Sequence, residues 1–264
     1  LQAEFSSNYL LSLIDLSPKA QLPLIKDKDT IGFKTWLIDL IFNPNIAVKR
    51  VNKAEGVDKI SMSANNFYEG LTEEEVNAFY SEKKHNDSIR PISWGLNSKL
   101  VKENGEIKEK VWKANGMYGP AITKMVEWLE KAITVAESKE QKEALTLLVA
   151  FYKTGDLKTW DEYNIAWVKD VNSTIDVVNG FIEVYHDAIG MRANFESAVE
   201  INDFEASKRM KTLGENAQYF ENNSPIDAKY KKEKVTGITY KVVNVAFEGG
   251  DLAPSTAIGI NLPN

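Results

Sequence analysis

The segment at residues 180–187 combines an acid, a phenol and a histidine with apolar residues and reads Gly-Phe-Ile-Glu-Val-Tyr-His-Asp. As a strand it would place Glu183 and Tyr185 together on one face and the aliphatic residues beside them on the other. A carboxylate beside a phenol suits a cationic amine, because the carboxylate pairs with the charge and the phenol adds a hydrogen bond. The alternative, which spacing alone favours, is that Glu183 pairs with a lysine at a sheet edge and Tyr185 is a core residue.

A second candidate segment covers residues 258–264, which read Ile-Gly-Ile-Asn-Leu-Pro-Asn. Glycine inside a strand, here Gly259, often marks the close approach of another backbone. Asn261 and Asn264 can supply amide hydrogen bonds to a ligand, and Pro263 removes one ladder donor. The pattern is therefore consistent with an edge strand that pairs with an extended peptide. The alternative is an ordinary edge strand followed by turn-forming asparagine, and spacing alone favours it.

Composition excludes several classes of function. The 264 residues are 43% hydrophobic and 27% charged, which is typical of a globular protein, and the net charge of −6 comes from interspersed acids and bases. We therefore expect neither a nucleic-acid nor a membrane-surface partner. The absence of cysteine excludes disulfides and thiolate chemistry, and the two histidines, His85 and His186, are too far apart for a helical zinc motif. We therefore expect no self-contained histidine–metal active site in this chain.

The elements that would position these residues follow from periodicity and turn signals. Asn104-Gly105 predicts a hairpin between strands at 88–101 and 106–112, and Thr72 with Glu75 forms a capping box that predicts a helix start. Apolar residues at spacings of three and four predict helices, and β-branched runs predict strands. The predicted helices cover 35–42, 117–133, 141–152, 157–167 and 196–220, and the later strands cover 177–185, 235–247 and 256–262. The sequence predicts an α+β fold, with helical layers packed on a small mixed β-sheet or partial β-barrel.

Taken together, these segments resemble the dipeptidyl peptidase III family of zinc exopeptidases. The resemblance rests on Glu183-x-Tyr185-x-Asp187, on the preceding Trp167-Val168-x-Asp170 and Gly180-Phe181-Ile182, and on 259–264 as a second substrate-contacting segment. Weaker matches at 62–67, 96–106 and 118–130 extend the resemblance over residues 57–264. It implies two parts, an N-terminal helical and loop segment at 1–56 and a mixed α/β substrate-binding lobe at 57–264.

The resemblance also implies a function. In that family a two-lobed enzyme removes dipeptides from the N-termini of short peptides, which lie extended along a strand in the cleft. By residue match, Glu183 and Asn264 would hold the ammonium group, Tyr185 would bond the peptide backbone, and Gly259 and Asn261 would belong to the paired strand. The family's zinc motif, His-Glu-x-x-Gly-His, does not occur in this sequence. We therefore expect one lobe of a zinc enzyme, truncated before the zinc-carrying lobe and inactive alone, with zinc bound only by the intact parent.

The same residues suggest two other functions. The first is a non-catalytic peptide- or protein-binding module that uses the same open strand. The second, glycoside hydrolysis by Glu183 and Asp187, is disfavoured because four residues along a strand separate the carboxylates by ~13 Å, beyond the usual range. Short peptides and the zinc-carrying lobe are the expected partners. The sequence leaves both the cytoplasm and the periplasm open as the compartment.

Overall fold

The structure is a computed structural model that describes residues 3–18, 22, 29–44, 46, 49–84, 91–235, 241–253 and 259. The helices of this described part are α1 (Ser7–Leu16), α2 (Thr30–Phe42), α3 (Glu73–Lys84), α4 (Gly119–Thr134), α5 (Lys139–Thr154), α6 (Leu157–Trp167), α7 (Phe204–Glu215) and α8 (Ala217–Asn223). Its strands are β1 (Tyr68–Glu69), β2 (Ser98–Glu103), β3 (Glu106–Val111), β4 (Ile175–Phe181), β5 (Phe195–Asn202) and β6 (Val243–Gly250). The α+β prediction is confirmed, and these strands form two small sheets and no closed barrel.

The first sheet has the order β1-β2-β3 and contains the predicted hairpin. Asn104 and Gly105 both have positive φ, at 52° and 84°, as a tight two-residue hairpin turn requires. The strand before the turn begins at Ser98, so the prediction of a strand from residue 88 was too long. β1 pairs in parallel with β2 while β3 pairs antiparallel, which makes this sheet mixed.

Three helices, α4 to α6, form a layer that supplies most of the main core. Two of these helices begin at side-chain caps: Ser138 caps the start of α5 and Asp156 caps the start of α6, and Gly155 ends α5 at a φ of 73°. The buried members of this layer include Ile122, Val126, Leu145, Leu148, Phe151, Tyr152, Trp160 and Tyr163. In the described part, no helix is both long and apolar enough to cross a bilayer.

The second sheet is antiparallel, with the order β4-β5-β6. Here the prediction of a single helix over 196–220 was wrong, because residues 195–202 form β5 between two strands. The helix starts only after Asp203, whose side chain accepts a hydrogen bond from the Ala206 amide at 2.8 Å. Pairing on both sides of β5 satisfies its backbone groups, which overrides the helical spacing of the apolar residues.

Two other strand predictions are partly corrected. The strand predicted over 177–185 ends at Phe181, and residues from Tyr185 onward form turns. Of the strand predicted over 235–247, residues 236–240 lie outside the described residues, and β6 runs from Val243 to Gly250. The strand predicted over 256–262 lies outside the described residues apart from Gly259. The division of the chain at residue 56 stays a prediction.

Candidate functional site

The acid and the phenol predicted from the sequence lie just beyond the end of β4. The Ile182 amide donates to the Asn194 carbonyl at 3.0 Å, and the Asn194 amide donates to the Glu183 carbonyl at 3.0 Å. Antiparallel pairing therefore continues through Glu183, past the end of the assigned strand. The chain then turns, and Tyr185 stands at the start of the turn with 51% of its surface exposed. The backbone thus holds Glu183 on a rigid element and presents Tyr185 to solvent.

Glu183 and Tyr185 belong to a larger group with two further carboxylates, which we call the carboxylate cluster: Glu183, Tyr185, Glu196 and Asp251. The Tyr185 hydroxyl donates to Asp251 Oδ2 at 3.3 Å. Burial raises the pKa of Tyr185, and the charges of Asp251, Glu196 and Glu183 raise it further. The charges of three acids therefore reach one phenol, and a cation bound among these acids would be stabilised by them.

Glu196 is the buried member of the carboxylate cluster, with only 4% of its surface exposed. Burial raises its pKa from 4.5 to about 7, and the charges of Glu183 and Asp251 add to the effect. An ammonium group near these acids would favour the ionised form of Glu196 and would lower its pKa. Binding of a cation at this site is therefore expected to release a proton near neutral pH.

Asp251 joins the carboxylate cluster to a set of neutral and basic side chains. His186 Nδ1 lies 2.9 Å from Asp251 Oδ2 and 2.9 Å from a guanidinium nitrogen of Arg50. The side-chain amide nitrogen of Asn194 contacts both His186 Nδ1 and Asp251 Oδ2. Asp251 itself follows β6, and its backbone amide donates to the Phe195 carbonyl at 3.0 Å. These contacts fix Asp251 beside Tyr185 from three sides.

An apolar cavity of about 400 Å³ adjoins this group through Asn194 and Phe195. Aromatic rings form much of its wall, and Trp112 lies with its ring centroid 4.9 Å from that of Phe181. The other lining residues are Asn66, Phe67, Tyr118, Ala121, Ile122, Met125 and Ala193. A negative site beside an apolar cavity suits a ligand with a cationic end and an apolar side chain.

The structure places only part of the predicted site. Glu183 lies close enough to Tyr185 for its charge to raise the pKa of the phenol, but the two residues do not share a strand face, because β4 ends at Phe181 and Tyr185 lies in a turn. Their roles in binding stay predictions. Gly259 is exposed, with open space where a Cβ would be, and Asn261 and Asn264 lie outside the described residues. The described part contains no group of three or more histidine, aspartate or glutamate side chains that could hold a metal ion.

Sequence reasoning missed Glu196, Asn194 and Asp251. Glu196 was assigned to a helix, which hid its register with Gly180 on β4 and Gly250 on β6. A correct assignment of β5 would have paired Glu196 with Gly180, three residues before Glu183 on the adjacent chain segment. Asp251 carries no local signal, since only the pairing of β6 with β5 brings it to the site.

Comparison with solved structures defines the class of fold. The chain is similar to dipeptidyl peptidase III from Caldithrix abyssi, with a TM-score of 0.65 and 21% identity over 98% of this chain and 47% of that one. It is also similar to the dipeptidyl peptidase III of Corallococcus sp. strain EGB, with a TM-score of 0.54 and 19% identity, covering 93% of this chain and 43% of that one. The fold is that of one lobe of these structures.

Sequence comparison identifies the family of the chain. The model of peptidase family M49 matches residues 88–264, and the chain belongs to this family. It is 30% identical over 203 residues to Nudix hydrolase 3 of Arabidopsis thaliana, which covers 74% of this chain and 26% of that protein. It is 28% identical over 149 residues to dipeptidyl peptidase 3 of Rattus norvegicus, which covers 56% of this chain and 20% of that protein. The chain thus spans about a quarter or less of these curated relatives.

Proposed function

We propose that this chain is the substrate-binding lobe of a zinc-dependent dipeptidyl peptidase that removes dipeptides from peptide N-termini. The observation that carries the proposal is the carboxylate cluster. A peptide with a free N-terminus carries one ammonium group, which three carboxylates recognise by charge and hydrogen bonding. Because the chain belongs to a peptidase family, we expect the cation to be the N-terminal ammonium group of a peptide.

Within this proposal each predicted residue has a role. Glu183 and Asn264 hold the terminal ammonium group, Tyr185 donates a hydrogen bond to the peptide backbone, and Gly259 and Asn261 belong to the strand that the peptide joins. The cavity beside Asn194 receives an apolar side chain of the peptide. In this proposal zinc and its ligands belong to the rest of the parent protein. The chain alone is expected to bind peptides without cleaving them.

The test is an activity assay on the parent protein that contains this sequence. We expect it to release dipeptides from a dipeptidyl arylamide, to lose that activity with a chelator and to regain it with zinc. Glu183→Gln should lower kcat/KM by roughly ten- to a hundredfold, the cost of about 1.5–3 kcal/mol for a hydrogen bond to a charged group. Glu205→Gln, an exposed substitution on α7, is the matched control and should leave kcat/KM unchanged.

Two results would contradict the proposal. A parent protein that shows no turnover with zinc, but still binds peptides, would instead be a non-catalytic binding module of the same fold. Equal kcat/KM for Glu183→Gln and the parent would remove the ammonium role of Glu183, even if peptides were cleaved.

A further inference from the structure

The turn that follows Tyr185 is organised around one buried carboxylate. Asp187 is fully buried, and its side chain accepts hydrogen bonds from the backbone amides of Ile189, Met191 and Arg192, at 3.2, 2.9 and 2.8 Å. It also accepts a hydrogen bond from the Tyr68 hydroxyl at 2.6 Å. Four donors on one carboxylate fix the path of the backbone from Asp187 to Arg192. This path returns the chain to Asn194, just before β5, where the Asn194 amide donates to the Glu183 carbonyl.

The second charged member of this arrangement is Arg192, which is also fully buried. Its guanidinium group donates to the hydroxyls of Tyr68, at 3.2 Å, and Tyr80, at 2.5 Å. The guanidinium carbon lies 4.5 and 4.9 Å from the centroids of the same two rings, which adds cation–π attraction. Gly95 leaves room for the group, since a Cβ there would lie 2.9 Å from Arg192 Nη1.

These contacts form a chain of hydrogen bonds, which we call the tyrosine–arginine network: Asp187, Tyr68, Arg192, Tyr80 and Glu109. Tyr68 donates to Asp187 and accepts from Arg192, while Tyr80 accepts from Arg192 and donates to Glu109 at 2.5 Å. Burial raises the pKa values of both tyrosines, so both hydroxyls keep their protons and can donate. Every link of the network therefore has a defined donor and acceptor.

The network joins two separate parts of the fold. Tyr68 and Glu109 belong to the first sheet and Tyr80 to α3, whereas Asp187 and Arg192 belong to the loop between β4 and β5 of the second sheet. A backbone hydrogen bond from the Ala193 amide to the Leu96 carbonyl, at 3.0 Å, reinforces the junction. The loop that begins with Tyr185 is thus anchored to the first sheet by side chains.

We propose that Asp187, Tyr68 and Arg192 are positioning residues, which hold Glu183 and Tyr185 in the geometry that binds the peptide. This inference rests on the proposed function and names the residues that hold its binding site in place. A buried polar network is a costly way to stabilise a fold, because apolar side chains of similar volume often stabilise as well or better. Its directional hydrogen bonds instead fix one position of the loop relative to the first sheet.

The test compares two substitutions that each remove one tyrosine hydroxyl, from partly buried Tyr68 and from buried Tyr152. Tyr68→Phe breaks the bonds to Asp187 and Arg192 and keeps the ring. Tyr152→Phe is the matched control, because its hydroxyl bonds to Asn179 on β4 and touches no part of the network. Each variant of the 264-residue chain is titrated with a short peptide that has a free N-terminus and an apolar second residue. Amide hydrogen exchange is measured in parallel.

We expect Tyr68→Phe to weaken peptide affinity about tenfold, equivalent to about 1.4 kcal/mol, and the control to change it less than about twofold. The amides of Ile189, Met191 and Arg192 should exchange about tenfold faster in Tyr68→Phe alone, since their acceptor loses its anchor. Asp187→Asn should show the same pattern more strongly.

Three outcomes would overturn the proposal or locate the failure elsewhere. Unchanged affinity in Tyr68→Phe would overturn it, and so would an equal loss in both variants, which indicates general destabilisation. If the unsubstituted chain binds no peptide, the proposed function has failed. In that case amide hydrogen exchange still tests whether Tyr68 holds the loop in place. The positioning role is overturned if the amides of Ile189, Met191 and Arg192 keep their protection in Tyr68→Phe.

Discussion

Replacing Glu196 by glutamine tests the electrostatics of the carboxylate cluster without any ligand. In the folded chain the pKa of Glu196 is raised from 4.5 to about 7 by burial, by Glu183 and by Asp251. The folded state therefore binds this proton more tightly than the unfolded state does. Linkage then requires that Glu196 lowers the free energy of unfolding as pH rises from about 4.5 to about 7. Glutamine does not ionise, so the Glu196→Gln variant should not show this fall in the free energy of unfolding.

The magnitude follows from the two pKa values. Their difference corresponds to about 3 kcal/mol at about 1.36 kcal/mol per pKa unit. Screening by the solvent that reaches exposed Tyr185 lowers this to about 2 kcal/mol. The free energy of unfolding of Glu196→Gln, minus that of the unsubstituted chain, should therefore rise by about 2 kcal/mol between pH 5 and pH 8.

Urea unfolding at pH 5, 6, 7 and 8 measures this difference directly. Glu205→Gln is the control, and its curve should run parallel to that of the unsubstituted chain. A Glu183→Gln background should reduce the effect, because the charge of Glu183 contributes to the raised pKa of Glu196. Parallel pH curves for Glu196→Gln and the unsubstituted chain would refute the reasoning, because they would mean that folding does not raise the pKa of Glu196. An undiminished effect in the Glu183→Gln background would mean that these two carboxylates are not electrostatically coupled.

Three substitutions test the packing and capping that hold the site. Thr72→Ala should destabilise the chain by about 1 kcal/mol, because the Thr72 hydroxyl caps α3 at 3.3 Å from the Glu75 amide, whereas Thr72→Ser should retain most of the stability. Gly180→Ala should cost about 1–3 kcal/mol in urea unfolding, since its Cβ would lie 2.2 Å from the Trp160 ring. An unchanged midpoint would contradict that contact. Leu148→Ala, at a fully buried position, should cost about 2–5 kcal/mol, against less than about 0.5 kcal/mol for exposed Leu213→Ala.

Local signals predicted those parts of the fold that local interactions determine. The hairpin at Asn104-Gly105 needs positive φ at both turn residues, and asparagine followed by glycine is the pair that best adopts it. The helix after Thr72 begins where the capping box places it. In both cases the physical cause lies within a few residues of the sequence.

Non-local pairing determined the parts that were not predicted. The apolar residues after Glu196 recur at helical spacing, yet β4 and β6 bond the segment on both sides and hold it as a strand. Glu183 and Tyr185 could be named from one short segment. Glu196 and Asp251 could not, because only the register of three strands brings them beside Tyr185. The tyrosine–arginine network has the same origin, since Tyr68 and Arg192 are 124 residues apart.

The measurement that most directly tests the central claim is calorimetric titration of the 264-residue chain with one peptide in two forms, with a free and with an acetylated N-terminus. Recognition of the ammonium group by the carboxylate cluster predicts binding of the free form, proton release near neutral pH, and affinity at least about tenfold weaker after acetylation. Glu183→Gln should reduce this difference between the two forms. Equal affinity for both forms, or an undiminished difference in Glu183→Gln, would contradict the assignment of the peptide-binding site.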